Sequence, residues 1–433
     1  MSSGFVGRLQ TFVGLAGVVA LCVSASLVTG INPLEYAGPA LNAALDKMRG
    51  KLSEPVPRWS ERVDGLPVAA VVTSSTVVVV LNGAVEARRL GDGGQAWTRV
   101  VDWATPAGEV VVAGRSKGGG FEVLDAANGA VRWQDPKAAN AWAYEDMLLS
   151  VSCPGDREGC TLRARDTRTG AGRWRLRIPG AVQRLAGHPD LDEAVDRHGM
   201  LPPSYPGRAP RLVGALADRR VTVVDTRAGR AVGSLSEGAN TRVAMLGDRV
   251  LGITARPREN GGCRYAARGW NPSGAEVWRH SGFDFGTVSG SGCEQRSDPV
   301  AAGGVIAAVR PDDRPVLVAV RSGGDRWTGR AGESLLATDG QVAIVRGANG
   351  RRLTAISALN GAELWNRTAS RQATVAVTGN AVMINDSDAG EIVAVSPTSG
   401  AVLQRWKSQA TILGVGFTGA VFGNGRTVGY ARW

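Results

Sequence analysis

The sequence predicts an all-β chain built from one repeated four-stranded sheet, and three observations carry that prediction. First, six tryptophans stand four residues after a turn glycine, in GDGGQAW (91–97), LDAANGAVRW (124–133), RDTRTGAGRW (165–174), NPSGAEVW (271–278), RSGGDRW (321–327) and SALNGAELW (357–365). Second, successive turn glycines from Gly93 lie 36, 41, 59, 45, 49, 38 and 39 residues apart, about the length of four short strands and their turns. Third, valine-rich runs such as 68–90, 108–126, 303–323 and 379–400 each read as strand, polar turn, strand before the glycine turn. Such sheets bury their faces by stacking radially as the blades of a propeller, which leaves only short sheet edges.

The chain opens with a stub of residues 1–8 and then an uncharged, apolar run from Leu9 to Ile31. At about 1.5 Å per residue this run spans a bilayer core of about 30 Å, so residues 9–31 are expected to be a transmembrane anchor. A cleaved signal peptide competes with that reading, with Ser24, Ala25 and Ser26 as small residues for a peptidase. Arg8 before the run favours a cytoplasmic stub and an extracytoplasmic remainder. Residues 32–56 form the expected stalk. Leu41, Ala44, Leu45, Met48 and Leu52 recur at helical steps, and Pro55 and Pro57 stop the helix.

Residues 57–433 are the expected propeller. Glycine in each turn adopts a backbone that strains other residues, and an Asp or Ser a few positions earlier accepts from the turn amides. Trp97, Trp133, Trp174, Trp278, Trp327 and Trp365 then supply the bulk needed between blades that splay outward. Unit 223–233 keeps Asp225 and Gly229 but has no tryptophan, while unit 396–406 keeps Gly400 and moves its tryptophan to Trp406. The tail after Trp406 has about three strands and no glycine–tryptophan turn, and Trp59 has no turn before it. The two ends are therefore expected to complete one blade together. Markers number nine, but eight blades are expected, within a range of seven to nine, with one marker assigned to a partial unit.

The fullest form of the turn is D-x-x-x-G-x-x-x-W, as in Asp125–Gly129–Trp133 and Asp166–Gly170–Trp174. It resembles the repeat of quinoprotein-like, or PQQ-like, β-propellers, and the likeness covers roughly residues 57–433. The Arg/Ala/Val/Gly-rich style is similar to that of membrane-anchored actinobacterial members. The resemblance admits two roles: quinone-dependent dehydrogenases, and a non-enzymatic lipoprotein that scaffolds outer-membrane protein assembly.

The enzymatic role would imply a bound quinone, Ca²⁺, an Asp base and adjacent paired cysteines. No Cys-Cys pair exists, and the candidate oxygen ligands Asp386 and Asp388 sit in INDSDAGE, a turn-like stretch that needs no metal. The long interruption 186–210 offers His188, Asp190, Asp192, Glu193, Asp196 and His198 as metal ligands, but a surface loop accounts for them equally. His280 has no evident acid partner, and no G-x-S-x-G, phosphate loop or H-E-x-x-H occurs. The expectation is no catalysis, no cofactor and no metal.

Outside the apolar run, Cys153, Cys160, Cys263 and Cys293 are an even set. Cys153 and Cys160 bracket a hairpin loop and suit a disulfide, while Cys263 and Cys293 lie in neighbouring repeats and could pair across a loop face. Four buried thiols are the alternative, and zinc would need spacings that are absent.

Net charge is +11, spread along the chain. It favours an anionic contact, but no nucleic-acid reading module accompanies it. The densest cluster is Arg163, Arg165, Arg168, Arg173, Arg175 and Arg177, where RWRLR alternates arginine with Trp174 and Leu176. A strand there projects its arginines away from the packed face, toward lipid headgroups, an anionic wall polymer or an acidic envelope protein. A solvated basic strand is the plainer reading. The expected function is thus a binding or scaffolding propeller at the cell envelope, with a sensor of small molecules or wall polymer as the alternative.

Overall fold

The computed structural model describes residues 58–432 apart from 116–118, 154–158, 187–207, 260, 289–291, 296, 303, 379–380, 408–409 and 417–418. The expected anchor, stalk helix and the acidic loop residues His188 to His198 lie outside the described residues. Among the described residues, no helix is long and apolar enough to cross a membrane.

The described strands form nine antiparallel four-stranded sheets. Numbered along the chain, blade 1 spans residues 67–100, blade 2 103–135, blade 3 140–178, blade 4 182–236, blade 5 241–281, blade 6 301–328, blade 7 334–368 and blade 8 374–407. Blade 9 takes three strands from 411–432 and its fourth, Trp59–Arg62, from the other end of the described chain, with Trp59 opposite Tyr430. The shared closing blade matches the expectation; the count of eight does not. Each of the nine markers proves to belong to its own complete sheet, including the unit that lost its tryptophan, because four strands assemble there around Val213, Val223 and Val224 regardless.

Ring closure is visible in the packing. Nine buried apolar layers lie between blades, one for each pair of neighbours, where an open array of nine sheets would have eight. The ninth joins blade 9 to blade 1 through Trp59, Leu413, Val421 and Tyr430 on one side and Val77, Val79 and Leu81 on the other. First strands such as Pro67–Val72 and Thr411–Val415 lie side by side, so they face the axis and the fourth strands form the rim.

The rim tryptophans act as one recurring joint. In blades 1–8 the rim strand is entered through a β-bulge, which sets one residue opposite a fixed partner, as with Trp97 opposite Ala87, Trp133 opposite Val123, Trp174 opposite Ala164 and Trp278 opposite Gly269. Each indole covers the turn glycine of the next blade. A Cβ built on Gly129 would come within 2.8 Å of Trp97, on Gly170 within 2.7 Å of Trp133, and on Gly229 within 2.4 Å of Trp174. These glycines also have positive φ, so both backbone and neighbour require glycine. The indole Nε1 donates to a carbonyl in that turn: Trp97 to Ala126 (2.9 Å), Trp133 to Thr167 (3.0 Å), Trp174 to Thr226 (2.7 Å), Trp278 to Val320 (2.7 Å) and Trp365 to Pro397 (2.8 Å). Apolar bulk and a satisfied polar tip make tryptophan suit this wedge.

Blade 4 carries Gly233 at the tryptophan position, opposite Val223. Bulk enters that seam from the other side, where Trp270 of blade 5 packs in the layer between blades 4 and 5.

Candidate interaction surface

The rim strand Gly172–Ile178 is the fourth of blade 3, and its burial alternates as the sequence implies, with Arg173, Arg175 and Arg177 exposed and Trp174 and Leu176 half-buried. Register places Arg163 opposite Arg175 and Thr161 opposite Arg177, so Arg163 and Arg175 share one sheet face. Such a pair repels unless something intervenes. Asp135, buried at the end of the blade 2 rim, lies beside Arg163 and Arg165 of the third strand. Its carboxylate lies 3.0 Å from Arg165 and 4.0 Å from Arg163. Arg165 also sits 5.5 Å above the Trp133 ring.

Arg173 donates to Asp166 at 3.0 Å. Hydrogen bonds from the Thr169 amide, together with Arg173 and the Thr169 hydroxyl, hold the Asp166 carboxyl below the usual aspartate range despite partial burial. Asp166 thus closes its own turn and one arginine. The strip is therefore not five equivalent free cations. Arg163, Arg165 and Arg173 serve joints within the ring, while Arg175 stands out from the rim beside exposed Arg168 in the adjoining turn.

Two arrangements had no sequence signal. Arg184 and Arg242 form a network with Glu237 and Asp298: Arg184–Glu237 at 2.8 Å, Arg242–Asp298 at 2.6 Å and Arg184–Asp298 at 3.5 Å. Asp298 belongs to the segment between blades 5 and 6, which the Cys263–Cys293 disulfide ties to blade 5. Two cations balance two anions there, which makes it a structural clamp. The second is a hollow of about 370 Å³ whose walls include Ser74, Glu109, Asp125, Arg132 and Arg168. Its acids are already engaged, Glu109 by the Ser74 amide and hydroxyl (both 3.0 Å) and Asp125 by Arg132 at 2.6 Å.

The remaining sequence candidates separate clearly. Both proposed disulfides form: Cys153–Cys160 with Cα atoms 4.3 Å apart, and Cys263–Cys293 at 5.8 Å. Asp386 is buried and accepts from the amides of Ser370 (2.8 Å) and Ala389 (3.2 Å), so its oxygens close a turn. Burial acts to raise its pKa, but those hydrogen bonds prevail and lower it. His280 stacks on Phe283 at 4.4 Å, with a ring nitrogen 2.7 Å from the Gly323 carbonyl, a joint between blades 5 and 6. Among the described residues, no group of three or more His, Cys, Asp or Glu is arranged to hold a metal ion.

Ring, bulge and docked indole together define a nine-bladed β-propeller whose repeats resemble the PQQ-like type. Residues 268–412 match the family model described as outer membrane protein assembly factor BamB. Similar solved structures include BamB from Moraxella catarrhalis (17% identity, TM-score 0.39, covering 82% of this chain and 98% of that one). The computationally designed Ika8 protein (14%, TM-score 0.42, 82% and 99%) and Saccharomyces cerevisiae Sqt1 (8%, TM-score 0.40, 88% and 100%) also resemble it. No curated protein sequence matches the chain significantly.

Proposed function

We propose that this chain is a membrane-anchored, extracytoplasmic binding or scaffolding platform with no reaction of its own, and that it offers the basic rim of blade 3 to an acidic envelope partner. The observation that carries the reading is Arg175, exposed on a rim strand among arginines that pair internally with Asp135 and Asp166. Two disulfides fit an oxidising compartment, and the apolar run 9–31 would supply the anchor. The matched family model names an assembly factor, and a role in assembling envelope proteins is consistent with a rigid ring that presents rim and loop faces.

The test is crosslinking of the full chain in its native membrane, with identification of captured proteins for wild type and Arg175→Glu. Loss of a specific acidic partner in the variant, with an unchanged melting temperature, supports the reading. An identical capture profile removes blade 3 as the contact. Dye reduction on adding PQQ, Ca²⁺ and an alcohol or sugar would replace the platform with an enzyme.

A further inference from the structure

Eight of the nine rim strands carry a tryptophan of the joint; blade 4 does not. A Cβ built on Gly233 meets nothing within 4 Å, and the same holds for Gly274, the turn glycine of blade 5 that a blade 4 tryptophan would cover. Gly233 and Gly274 thus leave a notch of open space at the rim of the one seam where the blade's own indole is missing, although Trp270 packs in the layer between the two blades. Half-buried Val232 and Leu235, together with Trp270 from the facing blade, border the same layer, so the notch is apolar.

The strand beside the notch is open as well. Rim strands present unpaired N–H and C=O groups, and proteins normally blunt such edges with charge. Every other rim strand has a charged residue beyond its first position, such as Arg99, Arg132, Arg279, Arg326, Arg367 or Arg405. In Arg230–Ser236 the six residues AVGSLS after the arginine carry none, although at seven residues it is among the longest rim strands. Around it the surface is basic: Arg227 and Arg230 are exposed at its start, and Arg168, Arg173, Arg175 and Arg177 on the neighbouring blade. The acids around it are bound: Asp166 to Arg173 (3.0 Å), Asp225 to Arg211 (3.3 Å), Glu237 at the strand's end to Arg184 (2.8 Å), and Glu276, two residues past Gly274, to Arg279 (2.9 Å).

We propose that the free edge of Arg230–Ser236 takes an added strand from a partner polypeptide, an extended acidic segment that places an aromatic side chain beside Gly233. Backbone pairing supplies the docking, the arginines select an acidic sequence, and the aromatic ring fills the notch as the chain's own indoles do at the other seams. The proposal rests on the platform reading and names the chemistry of its partner.

The test uses the full chain and a labelled nine-residue peptide of alternating threonine and glutamate with a central tryptophan, followed by fluorescence anisotropy. Replacing the central tryptophan by alanine should weaken binding about tenfold or more, as for an aromatic anchor in a pocket. Exchanging glutamate for lysine should abolish binding. Gly233→Trp should raise the melting temperature by filling the notch and should remove the preference for the aromatic peptide. Equal binding of both peptides, or an unaffected preference in Gly233→Trp, overturns the proposal. So does a wild-type dimer that Gly233→Trp dissociates, since the edge would then pair with itself. Native-membrane capture separates the two readings. A partner lost in Arg175→Glu but kept in Gly233→Trp overturns the added strand and leaves the platform. Capture indifferent to both variants, with the peptide preference intact, supports the edge and overturns the blade 3 contact.

Discussion

Trp59 covers Gly93, and that contact closes the ring. A Cβ on Gly93 would lie 2.6 Å from the Trp59 ring, and the Trp59 Nε1 donates to the Leu90 carbonyl at 3.2 Å. The strand that holds Trp59 precedes blade 1 in sequence but belongs to blade 9, so the joint links the last sheet to the first. Arg88 reinforces it by donating to the Arg62 carbonyl at 2.6 Å and the Gly93 carbonyl at 3.2 Å, while it pairs with buried Glu86. Burial raises the Glu86 pKa even so, more than Arg88 lowers it.

Removing this latch should cost stability on the scale of a buried aromatic. Trp59→Ala is expected to lose about 3–5 kcal/mol in denaturant unfolding. Hydrogen exchange should show the strands of 411–432 losing protection first. Uniform loss of protection around the ring would mean the latch is not where the ring opens.

The indole hydrogen bond can be separated from the indole's bulk. Trp174→Phe leaves the Thr226 carbonyl without its 2.7 Å donor and should cost about 1–2 kcal/mol beyond the lost area. Trp406 is buried with no acceptor for its Nε1, so Trp406→Phe should cost distinctly less. Equal costs in thermal unfolding would count against the joint as described.

The two disulfides close loops of different length, 7 residues for Cys153–Cys160 and 30 for Cys263–Cys293. Chain-entropy arguments give about 2 and about 3–4 kcal/mol respectively. The double serine variant at 263 and 293 should therefore melt lower than the one at 153 and 160. It should also free the segment that carries Asp298, which limited proteolysis would detect.

Acid should loosen the turns. Asp166 has a pKa below its ordinary 3.8 in the folded chain, mainly through the Thr169 amide, so its contribution is complete above that value. It fades as pH falls through the lower folded value, because the unfolded chain takes up the proton first. Asp166→Asn should cost stability at pH 7 and converge on wild type only as pH falls through the lowered folded value, where both carry a neutral side chain. A gap that stays constant with pH would show that the carboxylate's charge is irrelevant to the turn.

Much of this was legible in the chain because its information is local. The D-x-x-x-G-x-x-x-W spacing encodes a turn, a bulge and an inward indole within ten residues, and the lone Trp59 pointed to a shared blade. The arginine strip was legible only as an alternation. Which arginines remain available depends on Asp135, brought across from the neighbouring blade, and on the register that sets Arg163 opposite Arg175. The Arg184–Glu237–Arg242–Asp298 clamp had no signal, since its members come from separate strands and an insertion.

By itself the sequence determined the repeating unit and the role of its tryptophans, because short-range turn chemistry and strand alternation specify them, while the lone Trp59 and the three-strand tail pointed to a shared blade. Tertiary structure decided that nine sheets assemble rather than eight, that Trp270 enters the seam Gly233 left open, and which cations are consumed internally. Those outcomes depend on what neighbouring blades bring to a shared interface, and residue spacing along one chain does not encode that.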